Sequence, residues 1–206
     1  MDATTKRELQ KIACRIRMGV IEGTFCAKSG HPGGSLSIAE DLAYLYWKEM
    51  RVDPKNPGWE DRDRLVLSKG HCAPALYAAL ALKGYFPWGE LKSLRHTGAL
   101  LQGHPDMKHI PGVDMSTGSL GQGISAACGM ALAAKIDGKD SRVYAILGDG
   151  EIEEGQVWEA AMFAAHYKLD NLCAIVDNNN LQIDGTVEEV MSPYPITDKF
   201  AAFGWN

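Results

Sequence analysis

Apolar positions recur at helical spacing from the start of the chain. Leu9, Ile12, Ala13, Ile16 and Val20 define one face of a helix that runs to about Lys28 and stops at Ser29-Gly30. Thr5 and Glu8 predict a capping box at its start. A Gly/Pro loop, SGHPGGS, follows. Ser37 and Glu40 predict a second capping box, ahead of an apolar face of Ile38, Leu42, Leu45 and Tyr46. Pro54 and Pro57 bracket a polar surface loop. The pattern then changes. Arg64 to Ser68 is a short apolar run expected as a buried strand, and KGHCAPALYAALALKGY reads as a loop and then a small-residue helix. Residues 84–112 are loop-rich. Leu120 to Lys135 predicts a Gly/Ala-rich buried helix, and Glu154 to Tyr167 another. Arg142 to Leu147 and Leu172 to Val176 predict strands that end at Gly148 and Asp177.

This alternation predicts an α/β fold with a parallel sheet and helices on both faces. The strands are continuous apolar runs, as expected where helices cover both sides. No internal repeat or domain boundary is visible, so residues 1–206 are expected to form a single domain.

Composition narrows the class. Charged residues make up 23% and hydrophobic residues 46%, which excludes a disordered or low-complexity chain. The net charge is −5 with no basic run, which argues against gripping nucleic acid or an anionic membrane by electrostatics. Met115 to Ala134 is uncharged and long enough to raise the membrane question. Ser116, Thr117, Ser119, Gln122, Ser125 and four glycines answer no. The N-terminus lacks the apolar core of a signal peptide. Cys14, Cys26, Cys72, Cys128 and Cys173 are scattered, with no C-x-x-C, and read as buried reduced thiols of a cytosolic protein.

In a parallel sheet, ligands collect beyond the carboxyl ends of the strands. Two of those ends are unusually polar: Gly148-Asp149-Gly150, and Asp177-Asn178-Asn179-Asn180 followed by Leu181-Gln182-Ile183-Asp184-Gly185. If the strands are neighbours, Asp149 and the asparagine run share one rim. Asp149, Asn179 and the Leu181 carbonyl would then offer a hard divalent cation its oxygens, with phosphate oxygens completing the shell. Gly148 and Gly150 would let the backbone approach a diphosphate. Ordinary strand-to-helix turns, where Asp, Asn and Gly are common, explain the same residues.

Ser116 to Gly123, STGSLGQG, precedes a helix and could aim free N–H groups at a phosphate, or could serve close helix packing. It is not a P-loop. His31, His71 and His104 each follow a glycine in a loop. One such histidine is usually structural; three suggest a polar pocket that bonds hydroxyls or moves protons. His96, His109 and His166 lack that context. Glu151, Glu153, Glu154 and Glu159 form an acidic cluster near a helix start. It reads either as a solvated helix terminus or as a buried carboxylate network at a subunit contact.

SGHPGGSLS, LSKGH, LQGHPD, PGVDMSTGSLGQG, GDGEIEEGQVWEAA and VDNNNLQIDG, in this order over nearly the whole chain, resemble transketolase, most closely the N-terminal half-subunit of split transketolases. The resemblance implies a thiamine diphosphate-binding fold and transfer of a two-carbon ketol unit from a ketose phosphate to an aldose phosphate, as in the pentose phosphate pathway. It implies that Asp149, Asn179 and the Leu181 carbonyl bind Mg²⁺ or Ca²⁺, and that His71, Gly118, Leu120, Gly150 and Ile183 contact thiamine diphosphate. His31 and His104, with His71, would face the sugar, and Glu154 and Glu159 would belong to the acidic network at the subunit contact. The asparagine triplet departs from the family's one or two, and counting back from Asp184-Gly185 selects Asn179.

The family's activating glutamate lies in a pyrimidine-binding domain, and no segment here resembles that domain. A C-terminal, pyrimidine-binding partner subunit is therefore implied, in a homodimer or heterotetramer. Family members of this type continue past Asn206 with another strand, so the chain reads as truncated there, with a sheet edge uncovered. Competing readings are a non-catalytic cofactor-binding or interaction module, and 1-deoxyxylulose 5-phosphate synthase. The Glu154-Gly155 and Gly103-His104-Pro105 words favour transketolase over the latter.

Overall fold

The computed structural model describes residues 1–206, which form two compact units interleaved along the chain. The first comprises Met1–Arg62 and Gly70–Gly118, the second Asp63–Lys69 and Ser119–Asn206.

The first unit is helical. Helix α1 spans Ala3–Ala27 and buries Ala13, Ile16, Gly19, Val20 and Gly23. The expected face is therefore correct, but the cap is not Thr5–Glu8. Asp2 caps the helix instead, accepting from the backbone N–H groups of Thr4 and Thr5 at 3.0 and 2.9 Å. A Cβ at Gly19 would lie 2.7 Å from the Ala78 Cβ, so only glycine admits this approach to α4, Ala73–Lys83. The expected SGHPGGS loop is largely a helix, α2, Pro32–Ser37, because Pro32 starts it with a preset φ. Ser37 thus ends α2. Ile38 precedes the next helix, α3, Ala39–Tyr44, which continues into a π-helical turn at Leu45–Glu49. Arg62 and Asp114 form a buried ion pair at 2.5 Å.

The second unit carries the sheet. Strands β1 (Arg64–Leu67), β2 (Val143–Gly148) and β3 (Leu172–Asp177) are parallel, in the order β1-β2-β3. Leu67 pairs with Ile146, and Gly148 pairs with Asp177. Strand β2 is buried along nearly its whole length, while β3 is an edge whose Leu172–Val176 segment is partly open. Helix α5, Gln122–Ile136, packs on the sheet and on α6, Gly155–His166. A two-residue hairpin (β4, Leu181–Gln182; β5, Gly185–Thr186), α7 (Val187–Val190) and α8 (Ile196–Ala202) follow. Helix α8 sets Phe200 and its neighbour Phe203 on Trp158 of α6, at ring-centre distances of 5.0 and 5.6 Å.

The cysteines depart from expectation. Only Cys72 and Cys128 are buried; Cys14, Cys26 and Cys173 are exposed. Burial pushes the Cys128 thiol up to about 11. No helix is long and apolar enough to cross a membrane.

Candidate functional site

The first unit holds the three glycine-preceded histidines. The His31 and His71 rings meet edge-on, with centroids 5.1 Å apart. His104 lies against Gly118, whose missing Cβ would sit 3.0 Å from the imidazole. The Tyr77 hydroxyl holds the His104 loop by donating to the carbonyls of Gln102 and His104, at 3.0 and 2.8 Å. Burial lowers the His104 pKa, and the charges of Arg95 and His31 add to this. The imidazole is thereby kept neutral, able to donate from one nitrogen and accept at the other.

Arg95, which no sequence motif marks, also belongs here. Its guanidinium donates to the Ser29 hydroxyl at 2.8 Å and passes over Gly103, where a Cβ would lie 3.1 Å from Nε. Its backbone φ of +63° is unusual for a side-chain-bearing residue. Nothing in the local sequence SLRHTG signals that role.

The second unit brings the two polar strand ends together. Gly148 and Asp177 are register partners, so Asp149 and the asparagine run leave the sheet side by side. Asp149 is buried, and its carboxylate accepts from the backbone N–H of Asn180 at 2.7 Å and of Gly150 at 3.0 Å. The Asn179 side chain accepts from the N–H of Leu181 and donates to Asp177, both at 3.0 Å. Each of these oxygens has a second lone pair. A carboxylate, an amide oxygen and a backbone carbonyl on adjoining turns are hard donors of the kind Mg²⁺ and Ca²⁺ take. No group of three or more His, Cys, Asp or Glu side chains is arranged to hold a metal. A cation on Asp149 and Asn179 would therefore complete its shell with phosphate or water oxygens.

Gly150 lies against the Gln182 side chain at this rim. A Cβ there would lie 3.0 Å from the Gln182 side-chain amide carbon. Gln182 donates to Glu153 at 3.3 Å, while Oε1 of both residues is buried without a partner. Such orphaned acceptors fit a site that takes a donor from outside the chain. Ile183 projects with 96% exposure at a φ of +38°, and Leu181 and Leu120 are also exposed. Glu154 precedes α6 and Glu159 lies within it, both exposed.

The same unit buries two charges that no local pattern predicts. Glu151, in the acidic cluster that reads by sequence either as a solvated helix terminus or as a buried carboxylate network at a subunit contact, is 3% exposed. It accepts from the Ser68 hydroxyl at 2.5 Å and from the N–H groups of Gly121 and Gly148, each at 3.0 Å. Burial pushes its carboxyl above the usual range, against the opposing pull of those donors and of Lys69. Lys69 in turn forms a buried 2.5 Å ion pair with Asp177.

A family model described as transketolase, thiamine diphosphate binding domain, matches residues 9–206. The chain is 55% identical over 199 residues to the 6-deoxy-6-sulfo-D-fructose transketolase subunit SqwG of Clostridium sp. strain MSTE9, covering 97% of this chain and 72% of the relative. It is 48% identical over 199 residues to an apulose-4-phosphate transketolase subunit of Phocaeicola vulgatus, covering 97% of this chain and 70% of the relative. A mutant transketolase from Pichia stipitis superposes with a TM-score of 0.91 at 38% identity, covering 96% of this chain. The chain spans only 31% of that longer protein.

Proposed function

The chain belongs to the transketolase thiamine diphosphate-binding family, and on that premise we propose that it is the diphosphate- and metal-binding part of a two-subunit transketolase. One observation carries the reading: the register of β2 on β3 sets Asp149 beside the asparagine run at one end of the sheet. In this reading Asp149, Asn179 and the Leu181 carbonyl hold Mg²⁺ or Ca²⁺. His71, Gly118, Leu120, Gly150 and Ile183 contact the cofactor, with Gly150 giving the backbone room for a diphosphate. When bound, thiamine diphosphate supplies the electron sink for breaking and remaking a carbon–carbon bond.

The chain's own part is to bind, orient and move protons. His31, His71 and His104 face the sugar, and His104 as the neutral imidazole offers its hydroxyls both a donor and an acceptor. Glu154 and Glu159, exposed on and beside α6, meet a neighbouring subunit. A pyrimidine-binding partner completes the enzyme, residues 1–206 act as one cofactor-binding domain, and the complex works in the cytoplasm. The substrates are a ketose phosphate donor and an aldose phosphate acceptor. The two relatives are named for different sugars, so the donor is set by details beyond the shared motifs.

Titration of thiamine diphosphate into the chain, with Mg²⁺ and then with a chelator, tests the proposal. Saturable heat that the chelator abolishes is expected, together with its loss in Asp149→Ala. If Asp149→Ala binds as well as the wild type in the presence of the partner subunit, the assignment is wrong.

A further inference from the structure

Arg95 holds a backbone conformation that its own side chain disfavours. Its φ of +63° lies in the left-handed region that favours glycine, and the same loop places Gly98 there at +76°. Arg95 is exposed, so core packing does not demand a side chain at this position. Such strain persists where surrounding contacts over-determine it, and it concentrates at functional sites. The contacts here are specific. The Arg95 N–H donates to the carbonyl of buried Leu101 at 2.9 Å, which closes the 95–101 loop and fixes where the side chain leaves it. The guanidinium then reaches two further segments. Nη1 donates to the Ser29 hydroxyl at 2.8 Å, across 66 residues of sequence. Nε, Cζ and Nη2 cover Gly103, where a Cβ would lie 3.1 to 3.3 Å from all three. Ser29 stands two residues before His31, and Gly103 directly before His104. Ser29 is itself anchored, its N–H donating to the Thr24 carbonyl at 3.3 Å as α1 ends.

We propose that Arg95 is a positioning residue for the sugar-facing histidines: it ties the loop before His31 to the loop before His104 and so fixes the two imidazoles relative to each other. The proposal rests on the reading that these histidines face the sugar. Each of the two rings follows a glycine in an exposed segment, so without a brace each loop is free to swing. Tyr77 holds the His104 loop by its carbonyls, and Arg95 adds the link between that loop and the other. A planar fork suits the task, since it lies across a flat backbone segment and donates along its edge at the same time. A lysine ammonium offers only a point charge. The charge acts in the same place: Arg95 and His31 both oppose protonation of His104, which burial already disfavours, so the braced ring is also a neutral one.

Two measurements test this. The first is NMR of the histidine ring signals in the chain alone. Arg95→Gly relieves the left-handed backbone while removing the guanidinium, and Ser29→Ala cuts the tie from its other end. Each should shift the ring signals of both His31 and His104 and leave His166 of α6 unmoved. Ser29→Thr keeps the hydroxyl and should keep the wild-type signals. The second is turnover by the complex with the pyrimidine-binding subunit. Arg95→Gly and Arg95→Lys should each lower kcat/KM by about tenfold or more. In a His104→Gln background Arg95→Gly should cost much less, because one of the two rings it positions is gone. Ring signals of His31 and His104 indifferent to Arg95→Gly would remove the tie. Full activity in Arg95→Lys would reduce the residue to its charge, and additive losses with His104→Gln would make it a direct substrate contact. Each of these overturns the proposal. The ring signals need no turnover, so a wild-type complex without transketolase activity would overturn the transketolase reading while the signals still decide the tie.

Discussion

The Glu151 carboxylate accepts a 2.5 Å hydrogen bond from the Ser68 hydroxyl, across 83 residues of sequence. Ser68 directly follows β1, and Glu151 opens the turn after β2. The same carboxylate also holds the N–H of Gly148, just before Asp149, and the N–H of Gly121, at the start of α5. One buried side chain thus fixes the ends of three elements that shape the rim.

Removing it should be expensive. Glu151→Leu leaves a hydroxyl and two N–H groups without an acceptor, at about 1–3 kcal/mol for each one that stays buried. A loss of about 3 kcal/mol or more in urea unfolding is expected, with Glu151→Gln between the two because its amide retains one acceptor oxygen. Equal stability of Glu151→Leu and the wild type would dismiss the clamp.

Two glycines of α5 make opposite predictions. A Cβ at Gly123 would lie 2.6 Å from the Ser68 Cα, which is backbone and cannot swing away. Gly123→Ala should cost about 1–3 kcal/mol through overpacking. Gly129, on the same helix, has nothing within 4 Å of its missing Cβ, so Gly129→Ala should stabilise by about 0.5–1 kcal/mol. Thermal denaturation of the pair separates packing from helix propensity.

The Lys69–Asp177 pair is buried on both sides, with side-chain exposures of 2% and 8%. Lys69→Met strands a buried carboxylate and should destabilise by about 3–5 kcal/mol. Adding Asp177→Leu should recover much of that loss, since an apolar pair of similar volume is often tolerated. A double-mutant cycle in denaturant measures the coupling, and additive losses would argue against it.

His104 gives the chain a pH dependence of defined sign. Its folded pKa is depressed below 6.5 by burial and by Arg95 and His31, so on acidification the unfolded chain takes up the proton first. The contribution is complete above about pH 6.5 and is lost as the pH falls through the depressed value. Unfolding free energies at pH 7.5 and 5.5 should therefore differ less for His104→Gln than for the wild type.

How much of the site is legible in the sequence follows from where each signal sits. Asp149 and Asn179 are legible because each follows an apolar run and a parallel sheet exposes its carboxyl ends. The histidines are legible because each repeats a Gly-His word. Glu151 is not, because it shares a segment with Glu153, Glu154 and Glu159, and only its burial and its contacts with Ser68, Gly121 and Gly148 distinguish it. Lys69 and Asp177 are 108 residues apart, beyond any local pattern. The helix at Pro32–Ser37 is hidden by its glycines, which weaken propensity even where Pro32 starts a turn. The two-unit division is hidden because each unit takes its residues from two separate stretches.

The pairing of Arg64 with Val143 sets the order in which this protein can be made. Strand β1 leaves the ribosome long before β2, its only neighbour in the sheet. At about 5–20 residues per second, the apolar Leu65-Val66-Leu67 run must wait several seconds for a partner. Through that interval the nascent chain carries an unpaired hydrophobic strand, a natural client for the chaperones that meet chains at the tunnel exit.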